Sequence, residues 1–136
     1  MNLVSIRLIT ADVKALAHFY QHVTGVKAIF YTDDFAELQT PNGTLAIGST
    51  RTLQLFGGND VAAAAQNRSA IIEFLSPDLD ADFERLAEWL GDAVVQKPTL
   101  MPWGNRSLLF RDPDGNLVNL FTPQSAEAIR KFERVM

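Results

Sequence analysis

Two stretches of the 136-residue chain run through the same succession of patterns. Leu3-Val-Ser-Ile-Arg-Leu-Ile9 alternates apolar and polar residues, as a half-buried strand does. Thr10 or Asp12 then offers a helix cap, and Val13, Leu16, Tyr20 and Val23 form a helical stripe that Gly25 ends. A shift of 66 positions repeats the order: Ile6 falls on Ile72, Asp12 on Asp78, Val13 on Leu79 and Ala15 on Ala81. The second helix carries Leu79, Phe83, Leu86 and Leu90 on one face and stops at Gly91. Matched order of whole elements points to an internal duplication.

Each half continues with strand patterns. Lys27 to Thr32, Phe35 to Gln39 and Thr44 to Ser49 follow the first helix, separated by Asp33-Asp34 and Pro41-Asn42-Gly43. Leu53 to Phe56 is either the end of a bent strand or an irregular segment. Val94-Val95, Ser107 to Phe110 and Leu117 to Phe121 follow the second helix, and Ala126 to Val135 reads as a final amphipathic helix. The spacing predicts an α+β chain of two βαβββ modules, about 1–58 and about 69–123, within one domain over 1–123 and followed by a helix in 124–136. Gly57 to Arg68 joins the modules, with a short helix possible in Val61 to Ala65.

A sheet covered by a helix on one side alternates core residues with residues facing away. Two such sheets, concave faces together, would enclose a cavity. Val4, Ile6 and Leu8, then Ile72 and Phe74, then Val118 and Leu120 are assigned to the helix side. Ser5, Arg7, Ile9, Ile71, Glu73, Leu75, Leu117, Asn119 and Phe121 are assigned to the cavity.

Composition narrows the partners. Hydrophobic residues make up 47% of the chain, enough for a core. A net charge of -4 without any Lys/Arg run argues against nucleic acid and anionic membranes. No apolar run approaches the roughly 20 residues that span a bilayer. No cysteine is present, so thiolate chemistry and Cys-ligated metals are excluded. The N-terminus has no secretory profile, and a cytoplasmic location is expected.

The segment Pro102 to Phe121, "PWGNRSLLFRDPDGNLVNLF", and the N-terminal "IRLITADVKALAHFYQHVTGV" resemble the vicinal oxygen chelate superfamily, which includes glyoxalase I, extradiol dioxygenases and bleomycin and fosfomycin resistance proteins. The resemblance covers about residues 3 to 123. It implies the glyoxalase/bleomycin resistance/dioxygenase fold of paired βαβββ modules and, commonly, a homodimer. It also implies four inward side chains that hold one divalent metal. Carried over residue by residue, these positions fall on Ser5, Ile71, Asn119, and either Gln54 or Ile47, depending on strand register. None is His, Asp or Glu. Neutral oxygens do little to offset dehydration of a divalent ion, so no metal or other cofactor is expected.

Arg7 and Glu73, again 66 positions apart, are candidates for gripping a polar ligand or for forming an internal salt bridge. Glu73 is the one candidate for acid–base catalysis. Trp103 is assigned either to a pocket wall or to a dimer or module edge. Phe121 is a wall candidate, and Phe30, Tyr31, Phe35 and Phe56 divide between core and wall. His18 and His22 lie opposite the apolar stripe of their helix and read as a solvated pair. Asp112-Pro113-Asp114-Gly115 reads as a structural turn.

The expected function is binding of a small, partly aromatic molecule in a metal-free cavity, with Ser5, Arg7, Gln54, Glu73, Trp103, Asn119 and Phe121 as its contacts. The alternatives are a divalent-metal-dependent lyase or dioxygenase, a metal-free enzyme using Glu73, and a dimeric module whose cavity is filled by its own side chains.

Overall fold

A computed structural model describes residues 1–136. The order is β1 Ser5–Thr10, α1 Val13–Thr24, β2 Ile29–Thr32, β3 Phe35–Thr40, β4 Gly43–Ser49, then a 3-10 helix Thr50–Phe56. After a connecting stretch come β5 Ile71–Leu75, α2 Leu79–Leu90, β6 Val94–Leu100, β7 Asn105–Arg111, β8 Leu117–Pro123 and α3 Ala126–Phe132. The chain forms two compact units, one built on residues 1–67 and the other on 68–112 and 116–136. No helix is long and apolar enough to cross a membrane.

Each unit holds one mixed four-stranded sheet, in the orders β1-β4-β3-β2 and β5-β8-β7-β6. The first strand of each runs parallel to the last, with Ser5 beside Thr44 and Ile71 beside Leu117. The remaining pairs are antiparallel. This is the repeated βαβββ pattern expected from the sequence.

The two helix starts are built alike. Asp12 accepts from the Ala15 amide at 3.0 Å, and Asp78 from the Ala81 amide at 3.1 Å. One step earlier, Thr10 Oγ1 accepts from the Asp12 amide and Ser76 Oγ from the Asp78 amide. These bonds satisfy amides that have no partner inside the helix.

α1 lies over β3 and β4 and buries Leu16, Ala17, Tyr20 and Val23 against Ala36, Leu38, Leu45 and Ile47. α2 lies over β6, β7 and β8, where Leu86, Leu108, Phe110 and Val118 are buried. The assignment of Val4 and Ile6 to a helix-covered core is corrected. Ile6 is on the helix side by register, beside Leu45, but β1 is the sheet's edge strand and α1 is centred on its inner strands. Ile6 therefore remains 46% exposed, and Val4 precedes the strand.

Leu53 to Phe56 belongs to the 3-10 helix, not to a strand, and no helix forms in Val61 to Ala65. The 3-10 helix has a counterpart. It is seven residues long, capped by Ser49 and ended by Phe56; α3 is seven residues long, capped by Ser125 and ended by Phe132. Each follows the last strand of its module, so the repeat includes a sixth element, helical, that the 66-residue shift does not reach.

Candidate functional site

Strand register fixes which side chains share the face of each sheet that points away from α1 or α2. On the second sheet this far face carries Ile71, Glu73 and Leu75 on β5, beside Leu117, Asn119 and Phe121 on β8. β7 adds Leu109 beside Asn119, Ser107 beside Phe121 and Asn105 beside Pro123. On the first sheet it carries Ser5, Arg7 and Ile9, then Thr44, Ala46 and Gly48, then Gln39, Glu37 and Phe35.

Asn119 and Glu73 are direct neighbours across β5 and β8. Asn119 Nδ2 donates to Glu73 Oε2 at 2.8 Å. The bond fixes the amide, because a flip would set Oδ1 against the carboxylate. Oδ1 is left buried with no partner, in a residue only 8% exposed. Ser107 Oγ and Asn105 Oδ1, on the same face, are also buried without partners. An unsatisfied buried acceptor costs on the order of 1–3 kcal/mol. All three polar atoms lie on the same far face of the second sheet. Sequence reading missed Ser107 and Asn105, although they have the parity on β7 that Asn119 has on β8.

Phe121 also lies on this face, where Phe132 of α3 packs on it with ring centroids 5.0 Å apart. α3 is held by Gly104, whose carbonyl accepts from the amides of Gln124 and Ser125. Trp103 stands beside Gly104 at the tip of the turn between β6 and β7, 66% exposed. An open cleft near this turn is lined by Leu100, Met101, Pro102, Gly104, Gln124 and Ser125.

In the first sheet Arg7 lies within cation–π distance of two aromatic rings. Its guanidinium carbon is 4.8 Å from the centroid of Phe35 and 5.3 Å from that of Phe56. Glu37, two strands away in the same row, is occupied by Gln39 Nε2 at 3.2 Å. A further hydrogen bond to Glu37 holds the Tyr31 hydroxyl above its usual pKa of 10.0. Asp34 accepts from Ser49 Oγ at 2.8 Å and from Arg51 Nε at 2.6 Å. These bonds hold its carboxyl below the usual 3.8 and tie the β2–β3 turn to the start of the 3-10 helix.

The fourth carried-over position is corrected by register. Ser5 beside Thr44 corresponds to Ile71 beside Leu117, so Asn119 corresponds to Ala46. Ile47 points to the opposite face and is buried under α1. Gln54 is on the exposed 3-10 helix, where its Nε2 lies 3.4 Å from Asn59 Oδ1. The four positions are thus Ser5, Ala46, Ile71 and Asn119: a hydroxyl, a methyl, an alkyl group and an amide. None of these groups is the imidazole or carboxylate that suits a divalent cation. Nowhere do three or more His, Asp or Glu side chains gather as metal ligands would. His18 and His22 are exposed on α1, with His18 set edge-on to Phe30 at 5.8 Å. In the 112–116 turn, Asp112 accepts from the Asn116 amide at 2.9 Å and from Asn116 Nδ2 at 2.7 Å, and Gly115 takes φ 83°.

Comparison with known proteins agrees with this architecture. Solved structures with the same fold include a glyoxalase/bleomycin resistance protein/dioxygenase family enzyme from Burkholderia phytofirmans PsJN, at 16% identity and TM-score 0.78, covering 90% of this chain and 99% of that one. A glyoxalase/bleomycin resistance protein/dioxygenase from Nocardioides aligns at 22% identity and TM-score 0.74, over 93% of this chain and 85% of that one. A glyoxalase-related enzyme from Fulvimarina pelagi aligns at 22% identity and TM-score 0.73, over 93% and 94%. None of the curated proteins compared matches the chain. The family model described as Glyoxalase/Bleomycin resistance protein/Dioxygenase superfamily matches residues 2–120, and the chain belongs to that superfamily.

Proposed function

We infer that this chain binds a small, partly aromatic molecule without a divalent metal, and that its second sheet supplies the hydrogen-bonding contact. The observation that carries the reading is the Asn119 amide: Nδ2 is taken by Glu73 while Oδ1 is buried and unpaired. Oδ1 and the carboxylate only accept, so the group they select is a donor: a hydroxyl, an N–H or an ammonium. The neutral side chains at Ser5, Ala46, Ile71 and Asn119 support metal-free binding.

Calorimetric titration tests this with matched aromatic pairs that differ in one donor, such as phenol against anisole and tyramine against its N,N,O-trimethyl form. Binding of the donor-bearing member, lost in Asn119→Leu, is expected. Equal binding of both members, or binding by neither, overturns the reading.

A second reading, acid–base work by Glu73, is favoured by the same bond, which steadies one carboxylate oxygen and leaves the other free. Glu73→Gln separates the two: an enzyme loses turnover while keeping its ligand.

We also infer self-association through the edge strand β1. Ile6 is 46% exposed on the edge strand, and Leu3, just ahead of it, is 85% exposed; proteins ordinarily cover or charge such an edge.

A further inference from the structure

We propose that Arg7, in contact with the rings of Phe35 and Phe56, is a receptor for the carboxylate of a flat organic anion. Both rings lie within cation–π distance of the guanidinium, at 4.8 and 5.3 Å, and its N–H donors are left for a ligand. An Arg edge presents paired donors that match a carboxylate with two parallel bonds. No hydrogen bond or ion pair of the protein uses this edge; the arginines paired with acids include Arg51, Arg85 and Arg106. The nearest acid in the same row, Glu37, is engaged by Gln39 and Tyr31 instead.

The sheet is shaped for this arrangement. Arg7 is on the edge strand and Phe35 is two strands away, with β4 between them. The far-face residues of β4 opposite them are Ala46 and Gly48. A Cβ on Gly48 would come within 3.6 Å of Arg7 Cδ and 3.1 Å of Thr52 Oγ1, so any longer side chain would occupy the path of the arginine stem. Phe56 closes the other side from the end of the 3-10 helix. Contact with two rings restrains the guanidinium before a ligand arrives, which lowers the ordering cost of binding. One guanidinium in a chain of net charge -4 favours a monoanionic carboxylate over a dianionic phosphate. The aromatic walls favour a flat body attached to it.

The test is an NMR titration of the arginine side-chain Nε–Hε signals in 15N-labelled protein at constant ionic strength. The probes are sodium benzoate, benzamide and inorganic phosphate, and the Arg7 signal is assigned by its loss in Arg7→Lys. Benzoate is expected to move the Arg7 signal saturably, and benzamide to leave it in place. Backbone amide shifts of β1 and β4 report binding in the variants. Arg7→Lys, which keeps the charge but loses the fork, and Phe56→Leu, at an exposed helix end, are each expected to weaken benzoate by about tenfold or more. Arg106→Lys, at an arginine already paired with Asp80, is expected to bind benzoate unchanged. An equal response to benzamide, tighter binding of phosphate than of benzoate, or full affinity in Arg7→Lys overturns the proposal.

Discussion

Asn119 and Glu73 stand side by side on parallel strands, joined by one 2.8 Å hydrogen bond from the amide nitrogen to the carboxylate. The bond uses half of the amide. The other half, Oδ1, has lost its water without gaining a partner. Asn119→Leu removes a desolvated acceptor as well as one bond that is only partly buried. It is expected to leave folding stability unchanged or to raise it by about 1 kcal/mol, while abolishing binding of donor ligands. Urea denaturation measures the first effect and calorimetry the second. A loss of stability well above 1 kcal/mol would mean that Oδ1 already has a partner in the free protein.

Gly104 is the second sensitive position. Its φ is +94°, and a Cβ there would run into Ser125 Oγ and come within 2.7 Å of Ser125 Cβ. Gly104→Ala is expected to cost at least about 1–3 kcal/mol, from backbone strain together with displacement of α3. Hydrogen exchange should then speed up across Ala126–Phe132 before it does in β5 and β8. Unchanged protection of α3 would show that the helix is held by something other than this loop.

Asp34 gives a pH dependence. Its folded pKa is depressed by Arg51 and by Ser49, so its contribution to stability is complete above the unfolded value near 3.8. That contribution is lost as the pH falls through the lower folded value. Asp34→Asn should therefore narrow the stability difference between pH 6 and pH 3 relative to the parent protein, as read from melting temperatures. Because Asp34 anchors the helix that ends in Phe56, the same variant should also weaken benzoate at neutral pH. Identical acid limbs in the two proteins would remove Asp34 from this role.

Metal content tests the neutral donor set directly. Protein purified without chelator is expected to carry zinc, nickel, iron and manganese only at substoichiometric levels, and dialysis against EDTA should leave its melting temperature unchanged. A stoichiometric ion that survives dialysis would contradict metal-free binding.

The β1 edge is tested by Ile6→Lys. A lysine on an edge strand blocks pairing with another chain at little cost to a position already exposed. Light scattering is expected to give twice the chain mass for the parent protein and the monomer mass for the variant. A parent that is monomeric at all concentrations would refute the interface.

Most of the architecture could be read because strand–helix–strand order survives in the pattern of apolar residues and caps. Asp12 and Asp78 do the same chemistry at the same place, and a constant shift found both. The shift is not constant further on. Thr44 corresponds to Leu117, 73 positions away, because the second module has a longer path through β6 and β7. That difference hid Ala46, which neither the Gln54 nor the Ile47 alignment found. The ring contacts of Arg7 were hidden for another reason. Phe56 reaches the guanidinium from a 3-10 helix whose apolar residues resemble a short strand, and the small residues at 46 and 48 carry no chemical signal of their own. Parity placed Asn119, but only register revealed that Ser107 and Asn105 share its face.

The paired seven-residue helices have a consequence for how such a chain can change. Both return a terminal phenylalanine to the sheet they follow, and what it meets differs at two positions: Arg7 with Gly48 in the first half, and their register counterparts Glu73 and Phe121 in the second. With glycine, the phenylalanine closes on a cation that has room to lie across the strand. With phenylalanine, it closes on another ring and becomes a stopper. One inherited hinge-piece thus serves as tongs in one half and as a plug in the other.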